Sequence, residues 1–320
     1  MAVLLKDAKQ LSQPKLTNEI IDDMATSPVL ATLPFDNTIK PQGRSLAYVY
    51  NRITTQANAD VRAINSEYTP QEAVTEQEVT NLKILGGSYE IDRVLARDEV
   101  QVIGEVDFQT REKAKAAVAK FHDLFINGNA TTNPDEFDGL KKIATDRNVH
   151  IVDGNKLDLT DADKVKANGQ ALLYALRQVF KGTEGFTHMG MNSDMFAVFQ
   201  TVADFLPNVS YTRDEMGNVT YWYGSTRIVG LGQKPGTATE IIETRADGTT
   251  DIYFWREGLT GVHGVSPDGS NLVEVHYPNF TEAKAVHAGD VEFVTAIVAK
   301  KLNSVGMLTN ILVQGTDLGE

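Results

Sequence analysis

The chain has 320 residues, of which 42% are hydrophobic and 23% are charged, a composition typical of a globular protein of about two domains. Its 43 acidic and 30 basic side chains give a formal net charge of −13, and such a surface repels nucleic-acid phosphates, which disfavours a dedicated nucleic-acid binder. The absence of cysteine excludes disulfide frameworks, cysteine-ligated zinc and thiol nucleophiles, and no apolar run approaches the roughly 20 residues that span a bilayer.

Residues 1–41 predict an N-terminal arm with little core of its own. Prolines stand at positions 14, 28, 34 and 41, and the hydrophobic periodicity is weak. Ile20, Ile21 and Met24 are spaced for one face of a short helix that ends before Pro28. Such a segment is either disordered or lies across another surface.

Residues 42–92 predict a long β-hairpin. RSLAYVYNRI at 44–53 alternates between apolar and polar residues, a polar region follows, and VTEQEVTNLKILGG at 74–87 returns. The far end is poor in large apolar groups, and a two-stranded ribbon is marginally stable alone in water. We infer that it needs a surface and that this surface belongs to another copy of the chain. Gly86 and Gly87 are expected to form a bulge or bend where the ribbon returns to the body.

Residues 98–126 predict a long amphipathic helix, the strongest local signal in the chain. Asp98 and Glu99 suit the positive end of the helix dipole, and Asn127 and Gly128 supply a C-terminal stop. At 1.5 Å per residue the helix is about 40 Å long. Its apolar residues recur at spacings of three and four: Val102, Val106, Ala114, Ala117, Val118, Phe121, Leu124 and Phe125.

The remaining sequence predicts an α+β architecture. A second amphipathic helix follows Thr160, its expected N-cap, and a third begins near Asn192 or Ser193. From residue 210 onward, strand-like runs alternate with turns rich in Gly, Asn and Asp.

The titratable residues are scattered rather than gathered in a motif. The six histidines include no pair at the i, i+4 spacing of a helical metal site, and His122 on the long helix is expected at the surface or its edge. The three carboxylates of PDEFDG, at 134–139, lack the spacing of a calcium-binding hand. A solvated turn anchored by Phe137 and Leu140 is favoured there.

The other candidate motifs also favour structural roles. GLGQKPG at 230–236 matches neither a dinucleotide fingerprint nor a phosphate loop, and Ser193 lacks a G-x-S-x-G frame. The aromatic clusters at 221–223 and 253–255 are expected in the core or at a subunit interface rather than as stacking platforms. The sequence therefore predicts no catalytic residue, no cofactor and no metal site.

Three short motifs in fixed order resemble the major capsid proteins of tailed bacteriophages, the Hong Kong-97-type shell subunit. They are ILGGSYEIDRVLAR at 84–97, KFHDLFINGN at 120–129 and EFDGLKKI at 136–143. The resemblance implies an N-terminal arm (1–41), an extended loop (42–92) and a peripheral domain (93–154 and 285–320) with a spine helix at 98–126. It also implies an axial domain (155–284), and copies that close as hexamers and pentamers into an icosahedral shell around double-stranded DNA.

The resemblance also implies which residues bear on assembly. The candidate hinge of the extended loop is Gly86 with Gly87, and replacing both with Val is expected to leave the subunit folded but impair assembly. The candidate contacts between subunits are charged and aromatic residues of the loop and the first residue after it: Arg44, Tyr48, Tyr50, Arg52, Glu76, Glu78 and Arg93.

Two departures from the family pattern lead to further expectations. Little sequence precedes the hairpin, so a scaffolding domain was either cleaved off or supplied by a separate protein, and Met1 favours the separate protein. The loop has no lysine between Arg44 and Leu82, which predicts no isopeptide crosslink of the kind that some family members form there. A portal protein is a further expected partner, the sequence leaves open whether a decoration protein binds, and the virion, assembled in the host cytoplasm, is the expected location.

Two other functions stay open on the sequence alone. An encapsulin-like bacterial compartment would keep the same fold and hold cargo enzymes in place of DNA. A soluble α+β enzyme using the acidic turn at 135–138 belongs to a different class.

Overall fold

The computed structural model describes residues 28–40, 43–55, 57–92, 99–148, 150–204, 209–213, 219–234, 237, 239–270 and 273–315. The expected arm helix at 20–24 and Arg93 lie outside these ranges. The helices within them are α1 (Glu99–Asn127), α2 (Leu140–Arg147), α3 (Ala162–Phe180) and α4 (Ser193–Ala203), with a short 3-10 turn at Leu302–Ser304.

The strands of the described residues confirm the α+β class. In chain order they are β1 (Phe35–Asn37), β2 (Ile39–Lys40), β3 (Gly43–Arg44), β4 (Ala47–Thr55), β5 (Val74–Asn81), β6 (Lys83–Asp92), β7 (Ile151–Asp158), β8 (His188–Met191), β9 (Val209–Arg213), β10 (Val219–Tyr223), β11 (Thr226–Gly230), β12 (Thr249–Trp255), β13 (Val262–Ser266), β14 (Glu274–His276), β15 (Val286–Ala299) and β16 (Val305–Leu312).

The long helix α1 packs on a five-stranded sheet. The sheet runs β1-β13-β15-β14, and β6 pairs antiparallel with β15. The Tyr89 hydroxyl on β6 and the Thr110 hydroxyl on α1 are 2.8 Å apart, and further along the helix Phe121 packs against Phe293 of β15. The predicted helix is confirmed to within one residue at each end, because its apolar stripe faces this sheet.

Gly128 ends the helix for a steric reason. Its amide donates to the Leu124 carbonyl at 3.0 Å. A Cβ at this position would lie 2.3 Å from the carbonyl oxygen of Phe137, so only glycine permits the close approach of the following turn.

A seven-stranded sheet forms the second part of the molecule, in the order β7-β16-β12-β8-β11-β10-β9. The helices α3 and α4 bury their apolar faces on it in one cluster that includes Leu172, Phe199 and Phe254. Asn192 caps α4 as expected, since its side chain accepts from the Met195 amide. The N-cap of α3 is Asp161 rather than the expected Thr160, because the Asp161 carboxylate accepts from the Lys164 amide.

The central strand β12 joins the two cores. All seven of its residues are buried. Tyr253 and Trp255 belong to the cluster around α1, whereas Ile252 and Phe254 belong to the cluster around α3 and α4. The aromatic cluster at 253–255 is therefore core, as the sequence predicted.

The sheets do not follow the domain boundaries drawn from the sequence. β13 and β14, expected in the axial domain, pair with β15 in the sheet under α1. β16, expected in the peripheral domain, pairs with β7 and β12 in the seven-stranded sheet. The chain crosses between the sheets at 256–261 and 300–304, and such pairing between distant strands leaves no local sequence signal.

The bulge expected at Gly86 and Gly87 is absent. Both glycines lie in the middle of β6, whose register with β15 is continuous from Lys83–Thr295 to Asp92–Val286. A Cβ on Gly86 would lie 2.0 Å from the Val291 carbonyl oxygen, so this position needs glycine for close strand packing. Replacing both glycines with Val is therefore expected to break the pairing of β6 with β15, which corrects the expectation of a folded subunit.

Within the described part of the chain, no helix combines the length and the apolar composition of a bilayer span.

Candidate assembly hairpin

The antiparallel strands β4 and β5 form a two-stranded hairpin of their own. Their register runs from Ala47–Asn81 to Thr55–Val74. The described residues between them, 57–73, are all exposed and form the hairpin tip. The chain changes sheet at Leu82, whose amide donates to the Leu46 carbonyl at 2.8 Å. Leu82, rather than Gly86 and Gly87, is thus where the hairpin joins the body.

Tyr48 fixes the base of the hairpin to the five-stranded sheet. Its hydroxyl donates to Asp36 at 2.5 Å, and its ring meets the buried His263 edge-on at 5.9 Å. The Lys300 ammonium lies 5.2 Å from the ring centre, a cation–π geometry. Burial and the Asp36 carboxylate raise the pKa of Tyr48, so its hydroxyl stays a hydrogen-bond donor.

Two residues further along β4, opposite Tyr50, Glu78 of β5 forms the centre of a second polar cluster. It accepts from the Tyr50 hydroxyl and pairs with the Arg52 guanidinium at 2.5 Å. Burial raises the pKa of Tyr50, and the Glu78 carboxylate acts in the same direction. Of the predicted contact residues, Tyr50, Arg52 and Glu78 are thus brought together within one chain.

Arg147, at the end of α2, faces this cluster from the body. Its guanidinium donates to the Lys301 carbonyl at 3.1 Å and also to the Ala299 carbonyl. Burial lowers the pKa of Arg147, while Tyr50 and Glu78 act in the opposite direction. The side chain is therefore anchored on the body and attracted to the hairpin.

An open groove of about 430 Å³ separates the hairpin from the body. Its walls are the inner face of the hairpin, the turn at 136–138, α2 and the end of β15. The Tyr50 ring packs against the core of the body beside this groove, so the inner face of the hairpin contacts the body beyond Tyr48 as well.

The outer face of the hairpin is exposed and carries aliphatic side chains among polar ones. Val49 and Val79 are cross-strand partners on this face, with 36% and 55% of their surface accessible. Ile53 lies on the same face and is 55% exposed, and the polar pair of Asn51 and Gln77 lies between them. Beyond it, the tip presents Val61 and Ile64 almost fully to solvent. Exposed aliphatic side chains on a two-stranded ribbon are typical of a surface that another protein covers.

The hairpin tip has an ordered shape of its own. The Arg62 guanidinium lies 5.3 Å from the centre of the Tyr68 ring and donates to the Ser66 carbonyl at 3.1 Å. Gln71 donates to Asp60 across the tip at 3.0 Å. These contacts are local to the tip, whose described residues 57–73 are all exposed.

The other predicted contact residues are placed as follows. Arg44 lies in β3, opposite Ile39 of β2, and Arg93 lies outside the described residues. Glu76 is exposed and opposite Arg52 in the register, but the ion pair of Arg52 goes to Glu78. The residues that hold the hairpin base from the body were not found from the sequence, because Asp36 lies in β1, His263 in β13 and Lys300 just after β15.

The residues that were considered for catalysis or metal binding make contacts that stabilise the fold. Phe137 and Leu140 are buried and anchor the acidic turn, as predicted. The Ser193 hydroxyl donates to the Glu240 carboxylate at the start of α4. His122 was expected at the surface but is only 7% exposed, because α1 turns it toward the core, and burial lowers its pKa to about 4. Across the described ranges, no three His, Asp or Glu side chains are grouped as a metal site.

Comparison with known proteins finds similarity at the level of structure. No protein-family model and no curated protein sequence matches the chain. The capsid of the Myoviridae phage XM1 superposes with a TM-score of 0.53 at 12% identity, covering 87% of this chain and 90% of that one.

Two further solved structures are similar over their length. The virus-like particle from Pyrococcus furiosus has a TM-score of 0.54 at 11% identity and covers 92% of this chain and 98% of that one. The SrpI encapsulin from Synechococcus elongatus PCC 7942 has a TM-score of 0.51 at 12% identity and covers 91% and 89%. The chain therefore has the Hong Kong-97-type fold, the architecture of phage-capsid and encapsulin shell subunits.

Proposed function

We propose that this chain is the major capsid protein of a tailed phage. Its copies assemble as hexamers and pentamers into the icosahedral head of the virion, which encloses double-stranded DNA. The role is structural rather than enzymatic. The observation that carries the proposal is the hairpin: within a shell-subunit fold, it joins the body at Leu82 and exposes aliphatic side chains that the described part of the chain leaves uncovered.

The parts of the subunit are assigned accordingly. Residues 1–41 form the arm, 42–92 include the extended loop, and α1 is the spine helix of the peripheral domain. We assign β13 and β14 to that domain as well, and β16 to the axial domain; their strand pairing supports this division. Assembly takes place in the host cytoplasm with a separate scaffolding protein, a portal protein and a decoration protein.

The charge of the subunit suits a container for DNA. With a formal net charge of −13, the subunit does not neutralise phosphates along the genome, so the DNA is confined rather than bound and can leave. Cohesion then comes from many interfaces between subunits, each on the order of 1,000–2,000 Å².

A pair of matched double variants tests the role of the hairpin face. Val49→Ser with Val79→Ser removes one aliphatic cross-strand pair, and Asn51→Ser with Gln77→Ser changes the neighbouring polar pair on the same face. We expect the first variant to melt near the parent temperature but to lose shells in electron micrographs. The second is expected to assemble normally. Normal shells from the valine variant would contradict the proposal.

A bacterial encapsulin-like compartment is the second candidate, because the similarity to the SrpI encapsulin is as extensive as that to the XM1 capsid. The content of purified particles separates the two: nuclease-protected DNA supports the phage head, and a packaged enzyme supports the compartment. Gel filtration at micromolar concentration separates both from a soluble enzyme, which would elute as a 35.1 kDa monomer.

A further inference from the structure

The solvent side of α3 carries a strip of basic residues. The stretch 166–181 has three basic residues and no acidic one. Lys166 and Arg177 on the helix and Lys181 directly after it are exposed, and Tyr174, with 64% of its surface accessible, lies between them. The ion pairs of α3 within the described ranges are those of Lys164, so the charge of this basic strip is not offset there.

The five-stranded sheet has the opposite charge on the face that points away from α1. Along β6, β15 and β14 the side chains of this face are exposed or half-buried, and the described strands place no lysine or arginine on it. We call it the acidic face, and its carboxylates belong to Glu90, Asp92, Glu274, Asp290 and Glu292.

Two carboxylates of the acidic face are cross-strand neighbours. Glu274 of β14 is the partner of Glu292 of β15 in the register, and like charges directly opposite each other destabilise a strand pair. The nearest printed ion pair of a described lysine, that of Lys284, goes to Glu282 instead. The single subunit therefore retains a repulsion that a basic surface placed on this face would relieve.

The basic strip and the acidic face also match in length. Lys166 and Lys181 are fifteen positions apart, which is about 22 Å along a helix. The rows of the sheet that contain Asp92 and Glu292 are six positions apart along β15, which is about 20 Å. The bases at the two ends of the strip can therefore lie over carboxylates at the two ends of the face, with Tyr174 above the middle.

We propose that the basic strip of one copy docks on the acidic face of a neighbouring copy. Subunits with a net charge of −13 repel one another, and opposite charges paired within a Debye length, about 8 Å at physiological salt, offset this repulsion locally. The two surfaces differ, so the contact is heterologous, and contacts of this kind close into rings when the rotation fits. The inference rests on the proposed function, since the contact is one of the interfaces within a hexamer or pentamer.

A zero-length carbodiimide crosslinker tests the docking on the unmodified protein, because it joins a lysine amine to a carboxylate only where the two are in contact. Light- and heavy-nitrogen copies are mixed as dissociated subunits and allowed to associate, so that a peptide pair with one light and one heavy member comes from two chains. We expect mixed pairs that join Lys166 or Lys181 to carboxylates of the acidic face. Crosslinks confined to one chain, or mixed pairs that join these lysines to other carboxylates, would overturn the docking.

Electron micrographs of the same samples separate this inference from the proposed function. Shells without the expected mixed pairs would refute the docking alone. The expected mixed pairs in a sample without shells would refute the phage head alone.

Charge reversal gives a second readout. Lys166→Glu with Lys181→Glu is expected to lower the assembled fraction in sedimentation velocity roughly tenfold or more, since like charges brought together across an interface oppose association. Adding Glu274→Lys and Glu292→Lys to the same chain is expected to restore assembly, because opposite charges face each other again. Failure of this fourfold variant to recover, at an unchanged melting temperature, would overturn the docking.

The matched control is Lys115→Glu with Lys141→Glu. Both lysines are exposed and lie outside the two surfaces, and the control changes the net charge by the same amount as the reversal of the strip. We expect the control to assemble like the parent. An equal loss of assembly in the control and in the strip variant would show a general effect of net charge and would contradict the docking.

Discussion

Gly86→Ala is expected to destabilise the subunit strongly, whereas Gly87→Ala is not. An added Cβ at residue 86 lies 2.0 Å from the Val291 carbonyl oxygen, a separation that real Cβ atoms do not adopt. Relief requires β6 and β15 to separate by about 1 Å, since overpacked sites relax only by such backbone shifts. At residue 87 the nearest atom is the Lys113 Cδ at 3.2 Å, which belongs to a flexible side chain.

The magnitudes follow from these two environments. Overpacking costs about 1–3 kcal/mol, and each weakened main-chain hydrogen bond adds about 1 kcal/mol, so Gly86→Ala is expected to lower the free energy of unfolding by about 3 kcal/mol. Gly87→Ala is expected to change it by less than about 1 kcal/mol, because alanine in a strand recovers backbone entropy that glycine loses. The two single substitutions are therefore a matched pair.

Urea unfolding followed by circular dichroism measures both variants against the parent chain at one concentration. We expect a lower midpoint for Gly86→Ala and a midpoint near that of the parent for Gly87→Ala. Equal midpoints for the two variants would refute the argument that Gly86 is required for close packing against β15.

Two further predictions concern covalent chemistry and pH. The loop lacks lysine between Arg44 and Leu82, so denaturing electrophoresis of assembled particles is expected to give a single 35.1 kDa band, and a ladder of covalent multimers would contradict this. Burial lowers the pKa of His122 from 6.5 to about 4, so the unfolded chain binds a proton at a higher pH than the folded chain does. The free energy of unfolding therefore falls as the pH drops from 6.5 toward 4, by about 3 kcal/mol from this residue. Urea unfolding at pH 6.5 and 4.5 is expected to show a smaller loss of unfolding free energy for His122→Gln than for the parent. An equal loss would show that His122 does not cause the pH dependence.

The sequence predicted the helices and strands that depend on the spacing of apolar residues within one segment. α1 was found because its apolar spacing is continuous, and the hairpin was found because alternating strands enclose a segment without large buried side chains. The burial of His122 was missed because a single histidine beside apolar residues carries no sign of which way it faces.

Pairing between distant segments was the part that the sequence could not predict. The role of Gly86 depends on β15, which follows it by about two hundred residues, and the attachment of the hairpin depends on contacts of Tyr48 with Asp36 and Lys300. The exchange of β13 and β16 between the two expected domains has the same cause. None of these contacts creates a periodicity within its own segment.

Electron cryomicroscopy of the purified protein shows both whether the chain forms shells and what covers the hairpin. We expect closed icosahedral shells in which the face with Val49 and Val79 lies against an adjacent copy. Monomers at micromolar concentration, or shells in which that face remains open to solvent, would contradict it.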